Sequence, residues 1–231
     1  MSADGESGTA EAKAEEAPHA PHAPHADARR ALAAADARMA ALIARAGPCR
    51  LRPLAGSSRG YFVGLVEAIV GQQLSPKAAD TIFGRVAALG PGGVLPGPEA
   101  LLQIPEATLR GAGLSGAKAR SVRDLAAKVA EGALRLDEIG ALDDEAVIDA
   151  LCQVKGIGRW TAEMFLIFQL GRPDVLPVGD LGVQKGMVRL FSLRKLPRPE
   201  RMAALMRPFR PYRSVACWYL WRLNEEPRAP R

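Results

Sequence analysis

The sequence predicts an all-α fold, and three observations support that prediction. Apolar residues recur at helical spacing; over residues 61–71 they form one continuous face made of Phe62, Leu65, Val66, Ile69 and Val70. No stretch alternates apolar and polar side chains with the β-branched bias of a strand. Glycine and proline punctuate the joins between the periodic segments. We therefore expect about ten short helices.

The helical pattern extends from residue 28 almost to the end of the chain. In order, the segments expected to be helical are 28–46, 61–71, 76–88, 98–103, 106–111, 116–131, 143–153, 158–170, 181–191, 198–206 and 212–224. Residues 1–27 differ, because they are rich in Ala, Glu, Gly and Pro and repeat Ala-Pro-His over 17–25. Such a composition buries too little apolar surface to order itself. We expect residues 1–27 to be a disordered tail and residues 28–231 to be one helical domain.

The charge of the chain is unevenly distributed. The net charge is +6, but residues 1–27 hold six acidic residues against one lysine, a balance of −5, which leaves +11 on residues 28–231. A body this basic favours an anionic partner such as a phosphodiester backbone, although a solvated basic surface would have the same composition. All three histidines lie in the tail, so the folded domain has none for a catalytic triad or a zinc site.

Cysteine usage and hydropathy indicate the cellular setting. Cys49, Cys152 and Cys217 are odd in number and form no C-x-x-C pair, which predicts neither a disulfide framework nor a zinc or iron–sulfur ligand set. No secretory signal opens the chain, and no apolar run approaches the roughly 20 residues that span a bilayer. We expect a cytoplasmic protein without membrane contact.

The most informative segment is the join between two helices at residues 151–163. The run 154–158 reads Val-Lys-Gly-Ile-Gly, and a new helix starts directly after it. Glycines at 156 and 158 let the backbone turn tightly and approach another molecule closely. The free amides at the start of the next helix favour a bound phosphate. A plain joint between two helices would show the same spacing, so the turn alone does not decide its role.

Five separated motifs resemble those of one family of DNA repair enzymes. They occupy residues 68–75, 113–119, 154–165, 176–183 and 211–221, within the range 54–224, and they resemble the helix-hairpin-helix DNA glycosylases, in particular the 3-methyladenine DNA glycosylase II family. The resemblance implies a two-lobed helical fold with a central DNA- and base-binding cleft. It places a central lobe at about 72–175 and builds the other lobe from the N- and C-terminal helices. We expect the compact form, because no pattern for the β-rich N-terminal domain of longer members is present.

The resemblance makes Asp180 the catalytic carboxylate, and the chemistry supports that assignment independently. Breaking an N-glycosidic bond builds positive charge on the sugar, which a fixed carboxylate stabilises, or the carboxylate orients the attacking water. A purine alkylated at N3 or N7 is already cationic and leaves without a second acid. Asp180 also suits the N-cap of the helix that follows it, and the two roles are compatible. Asp174 is a nearby rival, but it reads as part of a turn.

Trp160 distinguishes two chemistries within the resemblance. Relatives that also cleave the strand carry a lysine nucleophile at this position, and without an amine no Schiff base forms. Lys155 and Lys185 do not match that position. We therefore expect a monofunctional glycosylase that acts on double-stranded DNA containing damaged bases, as a monomer. A bifunctional oxidised-base glycosylase/lyase and a non-catalytic helix-hairpin-helix DNA-binding module are the alternatives.

The resemblance also implies a base pocket and a wedge. Trp160 and Met164 share one helix face with Glu163 beside them, and together with Tyr212 they would line the pocket and attract a cationic purine. At helical spacing a tryptophan and a methionine suit a plain core equally well. Glu163 reads either as a base acceptor or as a surface ion-pair partner. Gln73 would fill the gap left by the flipped nucleotide.

The remaining expected contacts are with the DNA backbone and with an ion. The residues expected to contact phosphate are those of the hairpin and three basic side chains: Lys155, Gly156, Gly158, Arg159, Lys118 and Arg213. The resemblance implies no required cofactor. It does imply a structural Na+ or K+ ion on hairpin backbone carbonyls near Cys152, Val154 and Ile157.

Overall fold

The computed structural model describes residues 25–52 and 57–226. Over these residues the chain forms α-helices and short 3-10 turns and no strand, so the prediction of an all-α fold is confirmed. The α-helices are α1 (Ala26–Ala35), α2 (Ala37–Ala46), α3 (Ser58–Gly71), α4 (Pro76–Ala87), α5 (Pro98–Leu102), α6 (Glu106–Gly111), α7 (Gly116–Ala130), α8 (Asp144–Cys152), α9 (Arg159–Phe168), α10 (Leu181–Leu190), α11 (Pro199–Met206) and α12 (Arg213–Glu225). The 3-10 turns are Pro91–Gly93, Ile139–Ala141 and Arg207–Phe209.

The N-terminal region differs from the expectation in two ways. The segment 28–46 is two helices, because Asp36 interrupts it and caps α2 by accepting hydrogen bonds from the amides of Arg38 and Met39. The first helix also begins at Ala26, so the last two residues of the expected tail are helical. His25 lies against the folded domain, where its Nε2 contacts the carbonyl oxygen of Leu51 at 2.6 Å. The rest of the expected disordered tail, residues 1–24, lies outside the described residues.

The helices pack into two groups. In the central group α3 packs on α4, α7 and α9, α7 also packs on α5 and α6, and α8 packs on α9. In the other group α12 packs on α1, α2 and α10. By its packing α3 belongs to the central group, which therefore begins at residue 58 rather than at the expected 72. The second group does combine N- and C-terminal helices, as the two-lobed prediction requires.

The apolar residues that helical periodicity assigned to the core are buried in the structure. The expected face of α3 is buried throughout, from Phe62 at 3% exposure to Leu65 at 0%. Across the rest of the described chain, the largest fully buried side chains include Leu125, Leu151 and Phe209, so both groups of helices contribute to the core. Among the described helices none has both the length and the apolar character needed to cross a membrane. The loop 171–180 connects α9 of the central group to α10 of the other group.

Candidate active site

Asp180 lies where the connecting loop enters α10. It is the N-cap of that helix, and its Oδ1 accepts a hydrogen bond of 2.6 Å from the amide of Val183. The side chain is 8% exposed, so a carboxylate stands at the edge of the core. The expected capping role is confirmed, and it anchors the carboxylate to the first turn of a helix whose positive dipole end faces the charge.

Two indole rings from opposite groups of helices hold the same carboxylate. Trp160 on α9 donates from Nε1 to Asp180 Oδ2 at 2.8 Å, and Trp221 on α12 donates from Nε1 to Asp180 Oδ1 at 2.9 Å. With the Val183 amide, three N–H groups fix the orientation of both oxygens, and hydrogen bonds to a charged acceptor contribute roughly 1.5–3 kcal/mol each. Because α9 and α12 belong to different groups, the carboxylate bridges the cleft between them.

Trp221 is the site residue that sequence reasoning missed. The base-pocket role was assigned to Tyr212, which stands just before α12, whereas Trp221 lies nine residues further along the chain. At 1.5 Å per residue that separation is about 13 Å along the helix axis. The structure brings Trp221 to Asp180, and Tyr212 is not among the residues that line the Met164 cavity described below. The aromatic residues at positions 218, 219 and 221 indicate an aromatic surface on this helix, but their spacing does not tell which ring contacts the carboxylate.

Two glycines of α10 allow α12 to come close enough for this contact. A Cβ on Gly182 would lie 2.8 Å from Trp221 Cδ1, and a Cβ on Gly186 would lie 2.6 Å from the carbonyl oxygen of Leu220. Real Cβ atoms essentially never approach so closely. The two helices thus pack backbone to backbone along the 182/186 face. Asn224 adds a hydrogen bond of 2.8 Å to the carbonyl of Gly182, which holds the register of the pair.

A cavity opens on the Met164 side of α9. It has a volume of about 190 Å³, and its walls come from α3 and α9, with the lining residues Gly64, Leu65, Glu67, Ala68, Thr161, Met164, Phe165, Phe168 and Gln169. Phe168 stacks on Trp221 with ring centroids 5.7 Å apart, and Met164 lies one turn from Trp160. Trp221, one of the two residues that hold Asp180, therefore stacks on a residue of the cavity wall, and α9 places Trp160 and Met164 on one face as expected.

The polar groups of this cavity are few. Burial and the nearby Asp80 carboxylate raise the pKa of Glu67. Gln169 is only 9% exposed, yet no residue described in the structure forms a hydrogen bond with its side-chain amide. An amide in this position keeps donor and acceptor capacity for a molecule in the cavity.

Glu163 lies on the other side of α9. It is 4% exposed and accepts a hydrogen bond of 3.2 Å from Arg159 Nε, while Arg159 also forms a bidentate pair with Glu145 at 2.6 and 2.9 Å. These three residues line a second cavity, of about 290 Å³, that shares no lining residue with the Met164 cavity. Glu163 is thus an ion-pair partner, but a buried one, and the structure does not bring it to the pocket of Met164. Burial raises the pKa of Glu163, and Arg159 opposes that shift.

The hairpin has the expected glycine turn, and a contact with α7 holds its backbone. Gly156 adopts a φ of +82°, which favours glycine, and Gly158 is the N-cap of α9 without a side chain on the first amides of that helix. The amide of Lys155 donates to Asp124 Oδ2 at 2.8 Å, whereas the Lys155 side chain is 77% exposed. The hairpin thus presents the exposed Lys155 side chain, whose Nζ lies 3.9 Å from Asp124 Oδ1, and the amides of a helix start, a combination suited to phosphate.

Three basic side chains expected on phosphate have partners within the protein. Arg213 is 13% exposed, and its Nε donates to Asp174 Oδ1 at 2.7 Å. Because the Asp174 carboxylate is engaged in this ion pair, it is a poorer candidate for the catalytic carboxylate than Asp180. Arg159 is engaged by Glu145 and Glu163 as described above. Lys118 donates from Nζ to the carbonyls that end α3. None of these three cations is presented as an unpaired surface charge.

Gln73 follows α3 on an exposed turn. The amide of Leu74 donates to the carbonyl of Gly71 at 3.1 Å, Gln72 has φ −52° and ψ 128°, and Gln73 has φ +59°. These values describe a type II β-turn, whose third position favours glycine. The side chain of Gln73 is exposed, as a residue that enters DNA must be.

The fold and the site together define a helix-hairpin-helix protein whose candidate active site is centred on one carboxylate, Asp180. Residues 66–211 match the family described as HhH-GPD superfamily base excision DNA repair protein, and the chain belongs to that family. DNA-3-methyladenine glycosylase 1 of Schizosaccharomyces pombe is 36% identical to the chain over 162 residues, which are 70% of this chain and 71% of that protein.

Two solved structures share the fold at higher coverage. The 3-methyladenine DNA glycosylase of Schizosaccharomyces pombe in complex with abasic DNA superposes with a TM-score of 0.77 at 33% identity and covers 87% of this chain and 97% of its own. DNA-3-methyladenine glycosidase from Bacillus halodurans superposes with a TM-score of 0.74 at 38% identity and covers 84% and 88%. The expected two-lobed helix-hairpin-helix glycosylase fold is confirmed.

Proposed function

We propose that this protein is a monofunctional DNA glycosylase that hydrolyses the N-glycosidic bond of alkylated purines during base excision repair. The observation that carries the proposal is the Asp180 carboxylate, held by Trp160 and Trp221, of which Trp221 stacks on Phe168 in the wall of a mostly apolar cavity. The names of the relatives support the alkylated-purine substrate.

The reaction needs only one carboxylate. When the bond between C1′ and the purine nitrogen breaks, its electron pair neutralises the cationic base, which leaves without protonation. The positive charge that develops on the sugar is stabilised by the Asp180 carboxylate. A water oxygen then bonds to C1′, and its proton passes to the carboxylate or to solvent. Because Val183, Trp160 and Trp221 already orient both carboxylate oxygens, no reorganisation accompanies the reaction.

The Met164 cavity is the proposed base pocket. A flipped base there would lie between Met164 and Phe168, near the Trp221 ring that stacks on Phe168. Aromatic faces attract a cation more than a neutral ring, which favours an alkylated purine over a normal one. The free amide of Gln169 and the carboxyl of Glu67 would contact polar edges of the base.

The absence of lyase activity belongs to the same proposal. Trp160 stands where a strand-cleaving relative has lysine, and its indole nitrogen is already bonded to Asp180. Borohydride reduction of a mixture with abasic DNA should therefore trap no covalent protein–DNA adduct. A trapped adduct would favour the bifunctional alternative.

We also propose that backbone carbonyls of the hairpin region hold an alkali-metal ion. Neutral carbonyl oxygens near Cys152, Val154 and Ile157 suit Na+ or K+, and the carbonyl of Val154, which accepts a hydrogen bond from Ile157, keeps a second lone pair. The ion would add positive charge beside a bound phosphate. Replacing Na+ and K+ by a bulky organic cation at constant ionic strength should weaken binding to abasic DNA. A monomeric state and a cytoplasmic location stay predictions.

Asp180→Asn is the decisive test of the catalytic proposal. The amide keeps an acceptor oxygen for Val183 and Trp221, so the variant should fold and bind abasic duplex as the wild type does, while release of methylated purines falls to background. Asp137→Asn is the matched control, since Asp137 is an exposed aspartate on a loop. Base release by Asp180→Asn at the wild-type rate would favour the non-catalytic DNA-binding module or another catalytic group.

A further inference from the structure

The turn that carries Gln73 is held by the half-buried ammonium group of Lys118. Lys118 Nζ donates hydrogen bonds of 2.7 Å to the carbonyl of Val70 and of 2.7 Å to the carbonyl of Gln72. The first carbonyl belongs to the last turn of α3 and the second to the β-turn itself. A cation at this end of a helix also complements the helix dipole. Partial burial lowers the pKa of Lys118.

The same face of α7 holds the hairpin. Ser121 lies against Gly156 so closely that a Cβ there would be 2.4 Å from the serine Oγ, and Asp124 accepts the amide of Lys155. Lys118, Ser121 and Asp124 follow one another at intervals of three residues, which places them along one side of the helix. One helix therefore contacts both of the elements that approach DNA.

A direct bond joins these two elements. Gln72 Nε2 donates to the carbonyl oxygen of Gly156 at 2.8 Å. The turn and the hairpin thus have a shared support and a mutual contact, while Gln73, next to Gln72, is left exposed with a positive φ. A positive φ in a residue other than glycine persists only when its surroundings hold it.

We propose that Lys118 is a positioning residue for base flipping: it fixes the 71–74 turn relative to the hairpin, so that Gln73 projects into the DNA, and it does not contact phosphate. The proposal rests on the proposed glycosylase function and on the expected role of Gln73 as the wedge. It replaces the expectation that Lys118 binds the DNA backbone.

Lys118→Met tests the proposal, because it keeps the apolar stem and removes the ammonium. The probe is a duplex with an uncleavable abasic analogue beside 2-aminopurine, whose fluorescence rises when the strand is opened. We expect the affinity for this duplex to fall about tenfold, the equivalent of one charge-assisted hydrogen bond. The increase in fluorescence on binding, called here the fluorescence step, should also be smaller than in the wild type. The slope of log affinity against log salt should stay at the wild-type value, whereas the loss of one phosphate contact would reduce it by about 0.9.

Lys77→Met is the matched control, since it removes an exposed lysine at the start of α4, close to the same turn. It should keep the wild-type fluorescence step. A wild-type step in Lys118→Met, or a reduced salt slope in that variant, would overturn the proposal.

A double-mutant cycle asks whether Lys118 acts through Gln73. In a Gln73→Ala background, Lys118→Met should cause no further loss of the fluorescence step, because the side chain that it positions is gone. Additive losses would contradict the proposal. Should Lys118→Met fail to fold, Gln72→Leu replaces it: that change removes the bond to Gly156, is expected to reduce the fluorescence step, and overturns the proposal if the step is unchanged.

The assay separates this inference from the proposed function. It measures binding and strand opening on an uncleavable duplex, so it does not depend on base release. Loss of release in Asp180→Asn with normal opening, together with normal opening in Lys118→Met, would uphold the catalytic assignment and refute the positioning role. Wild-type release in Asp180→Asn, together with reduced opening in Lys118→Met, would refute the catalytic assignment and uphold the positioning role.

Discussion

The two sides of α9 face cavities of opposite character. On one side Met164 and Phe168 line a mostly apolar space that includes the Gln169 amide, with which no described residue forms a hydrogen bond. On the other side Arg159 and Glu163 line a charged space whose groups pair with one another. A satisfied ion-pair network has little to offer a ligand, whereas an apolar cavity with an unpartnered polar group does. This difference is the reason for placing the proposed base pocket on the Met164 side of α9.

Trp221→Phe should give the largest effect on the apolar side. Phenylalanine keeps a ring to stack on Phe168 but removes the N–H donor to Asp180, so base release should slow by about 10- to 100-fold, the equivalent of one hydrogen bond to a charged group. Single-turnover kinetics on methylated duplex DNA measures the chemical step. Trp218→Phe is the control, because Trp218 packs edge-on against Tyr219 and should release base at the wild-type rate. A wild-type rate in Trp221→Phe would mean that this bond does not support catalysis.

Met164→Ala should have a smaller effect on the same side. It removes a polarisable sulfur from the proposed base pocket, and such contacts with aromatic rings contribute about 0.3–1.5 kcal/mol, so kcat/KM should fall about 2- to 10-fold. Leu176→Ala enlarges the charged cavity instead and should leave kcat/KM unchanged. Equal losses in the two variants would show that the cavities are not functionally distinct.

Glu163→Gln should have the smallest effect on activity. Arg159 keeps its pair with Glu145, and a neutral amide needs less solvation than a buried carboxylate, so the free energy of unfolding should change by less than about 1 kcal/mol at neutral pH. Base release should stay within about twofold of wild type. A tenfold loss would place Glu163 on the substrate side of α9.

The same variant has a pH signature. Burial raises the pKa of Glu163 above the ordinary 4.5, so the folded state binds this proton more tightly than the unfolded chain does. That contribution to stability is complete below the ordinary pKa and is lost as the pH rises through the raised pKa. The difference in unfolding free energy, wild type minus Glu163→Gln, should therefore shift in favour of the wild type as the pH falls from neutral towards 4.5. Urea unfolding of both proteins across this range measures it.

Local signals predicted the helices well and their interruptions less well. The segment 106–111 was placed with its observed bounds, and most other helix ends differ by one or two residues. The break at Asp36 was missed because an alanine-rich segment continues on both sides of it, and only the capping bonds reveal that the residue starts a new helix. Propensity describes each residue alone, whereas a cap is a contact between residues.

The sequence predicted a candidate site residue where a motif specifies its position. It did not predict which cavity a side chain faces where the rotation of a helix determines this. Asp180, Trp160 and Gln73 were found from their motifs, and the structure places the first two in direct contact. Glu163 and Met164 are neighbours in sequence, but successive helical residues turn by about 100°, so they face different cavities. Spacing alone could not tell which of the two faces the base.

What the sequence determined by itself is local: helical periodicity, a glycine hairpin, and a carboxylate at a helix start. The tertiary structure decided the partners of the charged groups. Trp221 reaches Asp180 because Gly182 and Gly186 let two helices touch, and Lys118 binds the end of α3 because α7 packs beneath it. Such partners are far apart along the chain, and the burial that brings them together depends on the packing of the whole domain rather than on any single segment.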